Sequence, residues 1–304
     1  MTIVITGAGG VIGTYLVAKL RSSGHAVFSV LHREPARPDA NAIVCHDLLA
    51  VPRLEAILER AEVVINLAAR KPGKWDSDAS ELNARFPAML AKALRNVGGR
   101  RFVQISSAAA LGAAATNFRT PADDTAVDDP VTSYGQQKSD ADRELEQLSS
   151  DIFSVVSLRP PAVYAPHRLG TFRPFFAAAR YGIPLPVGSI ENARSMIYLP
   201  NLCDAIIQAS LSSIIGTYIV TDSSPISTPE LYRHLLSVYG YSDRVWRVPR
   251  VLLNPALRLM MGARADSLIG TSALNGARFA ASFEWSPSVN MTDALKLAAT
   301  VADR

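Results

Sequence analysis

Short apolar runs alternate with longer amphipathic segments through the first half of the chain. The runs are continuously apolar or β-branched, which is typical of parallel strands buried on both faces. Predicted strands cover residues 3–5, 26–31, 42–45, 63–67, 102–105 and 153–158. Predicted helices cover residues 11–22, 51–60, 80–97 and 133–148. This strand-helix alternation predicts the α/β class, a doubly wound parallel sheet whose right-handed crossovers put helices on both faces.

The pattern changes after Arg159. Prolines become frequent, and one more strand is predicted, over residues 217–221. Because prolines at this density mark loops and extended connections, we divide the chain in two. Residues 1–160 hold the sheet, and residues 161–304 are mainly a smaller substrate-facing region that sends some elements back to it.

Composition narrows the class of protein. The 304 residues are 48% hydrophobic and 19% charged, which excludes disordered and collagen-like chains. Residues 1–150 hold 17 basic and 17 acidic side chains, whereas residues 151–304 hold 14 and 10, so the net charge of +4 belongs to the second half. No run of clustered lysine and arginine indicates a nucleic-acid partner.

Two cysteines, Cys45 and Cys203, are too few for a disulfide framework or a metal site. The start of the chain enters the first apolar run without a basic leader, and the longest uncharged stretch, residues 205–221, is broken by polar residues and glycine. We therefore expect a cytoplasmic protein without stable membrane insertion.

Residues 245–261 mix apolar side chains with arginines, a pattern that can bind a membrane surface. Pro249 and Pro255 interrupt any long helix there. We expect this segment to pack on the core as part of the substrate region, without a membrane role.

A glycine-rich loop joins the first predicted strand to the first helix. Gly7, Gly10 and Gly13 have the spacing G-x-x-G-x-x-G, and Val11 and Ile12 open the helix. Such a loop allows a tight turn and a close backbone approach to a pyrophosphate, while the helix N-terminus attracts the anion. In this strand-loop-helix context the motif predicts a Rossmann-type dinucleotide site.

The end of the second strand distinguishes the two dinucleotides. NAD-binding proteins usually have a carboxylate there, whereas an arginine accommodates the 2′-phosphate of NADP. This chain has His32 and Arg33 instead of an acid. The basic pair favours NADP, and the nearby Glu34 leaves NAD open.

A tyrosine and a lysine stand four residues apart at the start of the fourth predicted helix. Tyr134 and Lys138 therefore share one helix face. A neighbouring ammonium can lower the pKa of a phenol, so that the tyrosine exchanges a proton with an alcohol or carbonyl. Ser107 follows a predicted strand upstream, at the sheet edge where ligands collect.

The glycine loop, Ser107, Tyr134 and Lys138 together resemble the extended short-chain dehydrogenase/reductase family, in its nucleotide-sugar epimerase and reductase branch. The resemblance implies that Ser107 hydrogen-bonds the reacting sugar oxygen and that Tyr134 transfers its proton. It implies that Lys138 also holds the nicotinamide ribose. These three are the predicted catalytic residues, and Tyr134 and Lys138 also contact the cofactor.

Further segments extend the resemblance over most of the chain. Asp47 and Leu48 resemble the pair beside the adenine, and Asn83 resembles an asparagine that fixes the active-site helix. Arg194 resembles the arginine that grips the substrate diphosphate. The remaining implied cofactor contacts are Leu67, Ala68 and Ala69 along the dinucleotide, and Pro160 and Pro161 beside the nicotinamide.

Some positions depart from the family pattern. Ala162, Ala165, Pro200 and Leu111 replace residues common in the family, which indicates a divergent substrate pocket. Sugar-nucleotide dehydratases need an Asp-Glu pair after the serine, where this chain has two alanines, so dehydration is excluded.

The resemblance leaves three functions open. The first is reduction of a 4-keto nucleotide-diphosphate sugar, with a UDP-linked sugar expected, by NADPH. The second is an NAD-dependent 4-epimerase, and the third is a non-catalytic NADP-binding sensor, which usually lacks the tyrosine-lysine pair. From residue 159 to 264 there are eleven arginines and five acids, an excess that a diphosphate substrate explains better than a solvated basic surface does. A homodimer is implied by resemblance alone.

Overall fold

The computed structural model describes residues 1–35, 39–70, 77–117, 119–166, 169, 172–222, 224–249, 251–253, 255, 259 and 269–302. Within them the strands are β1 Thr2–Thr6, β2 Ala26–Leu31, β3 Ala42–Val44, β4 Val63–Asn66, β5 Arg101–Ile105, β6 Ser154–Arg159, β7 Ala162–Tyr164, β8 Met196–Tyr198 and β9 Gly216–Ile219. The α-helices are α1 Val11–Ser22, α2 Glu55–Leu58, α3 Ser77–Ser80, α4 Phe86–Asn96, α5 Ser133–Glu146, α6 Arg173–Arg180, α7 Leu199–Ser210, α8 Thr228–Val238, α9 Ala277–Ser282 and α10 Met291–Ala302.

Seven strands form one parallel sheet in the order β3-β2-β1-β4-β5-β6-β9. This order confirms the predicted Rossmann-type fold. Because the strands are parallel, the loops that follow β1, β4, β5 and β6 leave the sheet at one edge. The glycine loop, the segment after Asn66, Ser107 and Pro160 therefore gather there.

Both faces of the sheet are buried, as the continuous apolar runs predicted. In β1, Ile3 and Ile5 belong to one core cluster, and Val4 belongs to another. The first cluster is covered by α1 and α7, and the second by α2, α4 and α5. Alternate residues of each strand thus meet a different helical layer.

The second half of the chain is divided between the sheet and a separate core. Strand β9 pairs with β6, and α7 packs in the cluster that contains α1. A two-stranded parallel sheet of β7 and β8 joins α6, α8 and α10 around another core cluster. The assignment of residues 1–160 to the dinucleotide-binding domain and of residues 161–304 mainly to substrate binding stays a prediction.

The predicted elements agree with the structure in the first six strands and differ from it in two later strands and two helices. The first six strands lie within one residue of their predicted ends, but β7 and β8 were missed after Arg159. Each is three residues long, close to a proline and outside the predicted strand-helix alternation, so its apolar run was not recognised as a strand. The helix predicted over residues 80–97 is interrupted by a π-helical turn, Glu81–Arg85, and the one over 51–60 begins as a 3₁₀ turn, Val51–Leu54.

The expectation that residues 245–261 pack on the core was only partly correct. Leu253 is 4% exposed, and Val245 and Val248 pack against the second-half core. Trp246, however, is 61% exposed and Leu252 64%. Residues 250, 254, 256–258, 260 and 261 of this segment lie outside the described residues. Among the described helices, none is long and apolar enough to cross a bilayer.

Candidate functional site

The glycine loop turns sharply between β1 and α1. Gly7 has a φ of +69°, and a Cβ there would lie 2.7 Å from the backbone nitrogen of Ala68. Glycine is therefore required for the loop to lie against the segment after β4. Gly10 stands at the N-cap of α1 without a side-chain cap. The first-turn amides of this twelve-residue helix therefore point toward the loop with no competing side-chain acceptor.

A cavity of about 720 Å³ opens at the glycine loop. Gly7, Gly10, His32 and Arg33 line it together with the end of β2. An adjoining cavity of about 620 Å³ shares these four residues and brings in further predicted cofactor contacts. They are Asp47, Leu48, Leu67, Ala68 and Ala69. The two cavities together offer uncapped amides, the basic pair and apolar side chains, and Glu34 and Asp39 also line the first of them. This lining fits a dinucleotide.

Histidine and arginine make the second cavity basic. His46 and Arg70 line it beside His32 and Arg33, although neither was predicted. The two imidazoles stand edge to face, 6.0 Å apart, and His46 Nδ1 lies 2.9 Å from the His32 carbonyl oxygen. His46 immediately precedes Asp47, so a closer examination of the β3 end would have found it.

The loop after β5 is held close to the start of α5. Ser107 Oγ accepts a hydrogen bond from the Ala109 nitrogen at 3.2 Å. A Cβ on Gly135 would lie only 2.2 Å from the Ala109 carbonyl oxygen, so glycine permits this approach. Thr132 caps α5 by accepting from the Gly135 nitrogen at 3.0 Å. The cap and the glycine place Tyr134 beside Ser107.

The predicted effect of Lys138 on Tyr134 is not the dominant one here. Burial raises the pKa of the Tyr134 phenol above its ordinary value, the hydrogen bond with Ser107 lowers it, and the charge of Asp142 raises it. The Lys138 ammonium lies 5.9 Å from the centre of the tyrosine ring. The balance keeps Tyr134 protonated at neutral pH, which is the form that can donate a proton.

Lys138 is a buried cation. It is 1% exposed, and its Nζ donates to the Ile105 carbonyl oxygen at 3.0 Å. Burial lowers the pKa of Lys138 to about 8, while the negative charge of Asp142 opposes that fall. The side chain therefore changes charge at the basic edge of the neutral range.

Behind the lysine lies an ion network that the sequence analysis missed. Asp142 Oδ2 accepts from Ser106 Oγ at 2.7 Å and from Arg159 Nε at 2.8 Å. Arg159 also binds both oxygens of Asp128, at 2.6 and 2.8 Å. Burial alone would lower the pKa of Arg159, but the charges and hydrogen bonds of the two carboxylates raise it.

Buried amides tie the remaining loops to the site. Asn66 Nδ2 donates to Gln104 at 2.8 Å and its Oδ1 accepts from the Ala68 nitrogen at 3.2 Å. Asn83, which is fully buried, donates to Gln137 Oε1 at 2.8 Å and to the Arg70 carbonyl oxygen. Asn83 therefore contacts α5 one residue before Lys138.

The predicted nicotinamide-side residues and Arg194 lie on different elements. The Pro160 carbonyl oxygen accepts from the Ala108 nitrogen at 3.0 Å, and Pro161 leads into β7. Arg194 precedes β8 and donates to the Gly270 carbonyl oxygen at 3.1 Å. Burial lowers the pKa of Arg194, and no carboxylate among the described residues pairs with it.

Two of the positions that depart from the family pattern lie at a third cavity. Ala165 and Pro200 line this space of about 780 Å³ with Gly10, Val11 and Tyr198. The cavity therefore extends from the glycine loop toward the second half of the chain. Within the described parts of the chain, no group of three acidic, histidine or cysteine side chains could hold a metal ion.

Known proteins similar to this chain include both epimerases and reductases. It is 28% identical to a UDP-glucose 4-epimerase of Vibrio cholerae, over 97% of this chain and 93% of that protein. It is also 28% identical to a ceramide reductase of Caulobacter vibrioides, over 94% and 86% of the two chains. The crystal structure of UDP-N-acetylglucosamine 4-epimerase from Bacillus cereus superposes with a TM-score of 0.81 at 17% identity, over the whole of both chains.

The structural likeness supports the fold, and the sequence match supports the family. The model of the NAD dependent epimerase/dehydratase family matches residues 3–214, which contain the glycine loop and the Ser107, Tyr134 and Lys138 cluster. The chain belongs to this family of extended short-chain dehydrogenases/reductases.

Proposed function

We propose that this protein is an NADPH-dependent reductase of a 4-keto nucleotide-diphosphate sugar. The observation that carries the proposal is geometric: Arg33 lines both cofactor cavities at the end of β2, and the Tyr134 phenol lies in hydrogen-bond contact with Ser107. A reductase must deliver a proton to the oxygen that receives the hydride, and burial raises the pKa of this phenol. Ser107, which hydrogen-bonds Tyr134, would bind the same sugar oxygen.

The residues at the glycine loop and the β2 end would hold the cofactor. The amides of Val11, Ile12 and Gly13 would bind the pyrophosphate, and Asp47 and Leu48 would flank the adenine. Pro160 and Pro161 would lie beside the nicotinamide, which when bound supplies the hydride. Lys138 would hold the nicotinamide ribose from its buried position, with its charge supported by Asp142.

The protein's own part in the reaction is orientation and proton transfer. Ser107 and Tyr134 would polarise the keto oxygen through two hydrogen bonds before the hydride arrives. Tyr134 then gives its proton to the developing alkoxide, and the Lys138 charge stabilises the phenolate that remains. A proton from solvent restores the phenol before the next turnover.

We expect Arg33→Ala to weaken NADPH binding more than NADH binding. Arg33 lines both cofactor cavities, and an arginine contact to a phosphate is a charge-assisted interaction. Its loss should raise the Kd for NADPH by about ten- to a hundredfold, while the Kd for NADH changes little. Titration calorimetry of both cofactors measures this, with the exposed Arg95→Ala as the matched control. Equal losses for both cofactors would remove Arg33 from the 2′-phosphate site.

We expect Arg194→Ala to raise the KM for a diphosphate-linked sugar by about tenfold or more, with kcat close to the original. The Arg194 guanidinium is half-buried without a carboxylate partner among the described residues, so a bound diphosphate would supply its counter-charge. Steady-state kinetics measures the change, and the exposed Arg173→Ala is the control. An unchanged KM would place the diphosphate elsewhere.

The alternative function is an NAD-dependent 4-epimerase, which the similarity to the Vibrio cholerae enzyme favours. An epimerase retains its cofactor and returns the hydride to the same sugar, whereas a reductase exchanges it. A non-catalytic sensor is less compatible with the chain, because Tyr134 and Lys138 are both present and held by buried contacts.

One experiment separates these functions. The purified protein is supplied with UDP-4-keto-6-deoxy-hexosamines and NADPH, and the products are identified by NMR. A reductase consumes NADPH in proportion to the 4-hydroxy sugar formed. Interconversion of UDP-glucose and UDP-galactose with tightly retained NAD would overturn the proposal in favour of the epimerase, and no turnover with either set would favour the sensor.

A further inference from the structure

Five large apolar side chains are exposed together with arginines on the second half of the chain. Tyr181 is 69% exposed, Ile183 46% and Trp246 61%. Val251 is 79% exposed and Leu252 64%. These side chains lie in two segments, one near residues 180–188 and one near residues 244–252. The same segments expose Arg180, Arg244 and Arg247. We call this set the apolar-basic surface.

Backbone hydrogen bonds hold the two segments side by side. The Leu185 nitrogen donates to the Arg244 carbonyl oxygen at 3.1 Å, and the Trp246 nitrogen donates to the Leu185 carbonyl oxygen at 2.9 Å. The Gly188 nitrogen donates to the Trp246 carbonyl oxygen at 2.7 Å. Leu185 and Val245, which face each other across this pairing, pack on the core. Their neighbours Arg244 and Trp246 are therefore directed outward.

A short turn carries the surface further along the chain. The nitrogens of Leu252 and Leu253 both donate to the Pro249 carbonyl oxygen at 3.0 Å. Leu253 is buried, which leaves Val251 and Leu252 on the solvent side. The turn is thus anchored by one leucine and exposes two apolar residues.

The charge on this surface is positive. The Arg244 guanidinium donates to the Gly182 carbonyl oxygen at 2.7 Å and lies 4.8 Å from the centre of the Tyr241 ring. Arg247 is exposed, and no carboxylate among the described residues pairs with it. The nearest acid in sequence, Asp243, is already paired with Arg233 at 2.9 Å. Asp243 therefore does not neutralise the charge of Arg244 or Arg247.

We propose that the apolar-basic surface docks on an anionic lipid bilayer. Exposed apolar side chains that cluster on one surface mark interaction sites, whereas single ones are normal. Tryptophan and tyrosine suit the headgroup region, aliphatic side chains enter the acyl boundary, and arginines attract anionic headgroups. A second copy of the chain is a poorer occupant, because a symmetric contact would bring equal positive charges together. The proposed docking is peripheral, and it reverses the expectation from the sequence that residues 245–261 have no membrane role.

The test is flotation of the full-length protein with vesicles of two compositions. We expect it to bind phosphatidylcholine vesicles containing about 30% phosphatidylglycerol at low salt, and to dissociate at high salt. We expect little binding to pure phosphatidylcholine. Trp246 emission should shift to shorter wavelength on binding, and Trp246→Phe should remove most of that shift.

Substitutions on the apolar-basic surface test whether this surface is the part of the protein that binds the vesicles. Trp246→Ser with Leu252→Ser should lower the bound fraction about tenfold or more, and Arg247→Glu should lower it by charge alone. The matched control is Ile152→Ser, because Ile152 is 82% exposed and precedes β6 of the seven-stranded sheet, outside the apolar-basic surface. Thermal unfolding midpoints close to that of the parent show that the variants are folded.

Three results would overturn the proposal. The parent protein could fail to bind anionic vesicles at low salt, or Ile152→Ser could lose as much binding as the double variant. Light scattering after gel filtration could instead reveal a dimer that the double variant abolishes, which would assign the surface to a second copy of the chain.

Discussion

Replacing Tyr134 by phenylalanine is expected to lower kcat by about 10²- to 10⁴-fold while NADPH still binds. The phenol forms a hydrogen bond with Ser107, and its raised pKa keeps the proton available. The ring itself packs at the start of α5, so phenylalanine preserves the shape of the site. Stopped-flow measurement of NADPH oxidation gives kcat, and calorimetry gives the cofactor Kd.

The matched control for this variant is Tyr181→Phe. Tyr181 is exposed and has no proposed catalytic role, so the kcat of this variant should equal that of the parent protein. Near-normal turnover of Tyr134→Phe would remove this phenol from the mechanism. A parallel loss of NADPH affinity would instead indicate that the substitution disturbs Lys138 and the cofactor ribose site.

The fold could be predicted because strands that are buried on both faces appear in the sequence as continuous apolar runs. Residues 3–5 and 63–65 are apolar without interruption, and their place in a strand-helix alternation identified them as strands. Strands β7 and β8 carried no comparable signal, since each is three residues long, lies close to a proline and stands outside the predicted strand-helix alternation. Their pairing depends on contacts between segments more than thirty residues apart.

The candidate site was predictable only where its residues share an element or a motif. Tyr134 and Lys138 were found by helical spacing, and Asp142 has the same spacing from Lys138. The spacing alone does not reveal that Arg159, on the neighbouring strand, faces this carboxylate. The exposure of Trp246 could not be predicted either, because the sequence does not show whether an apolar side chain faces the core or the solvent.

Replacing Arg159 by methionine is expected to lower the free energy of unfolding by about 3–5 kcal/mol. Arg159 is 8% exposed and Asp142 2%, and the arginine is the shared partner of Asp142 and Asp128. Methionine has a similar length but no charge, so two carboxylates would remain without their cation. Urea denaturation followed by circular dichroism measures the loss. The exposed Arg143→Met, which breaks only the surface pair with Asp140, should cost about 1 kcal/mol or less.

The double variant Arg159→Met with Asp142→Asn distinguishes an unpaired charge from lost packing. If the penalty comes from the buried carboxylate, neutralising Asp142 should recover part of the stability that Arg159→Met loses. The double variant would then be less destabilised than the sum of the two single variants. Strict additivity would contradict this, because it would mean that Arg159 and Asp142 contribute independently. Since Asp142 supports the charge of Lys138, the network that stabilises the fold also supports the proposed active site.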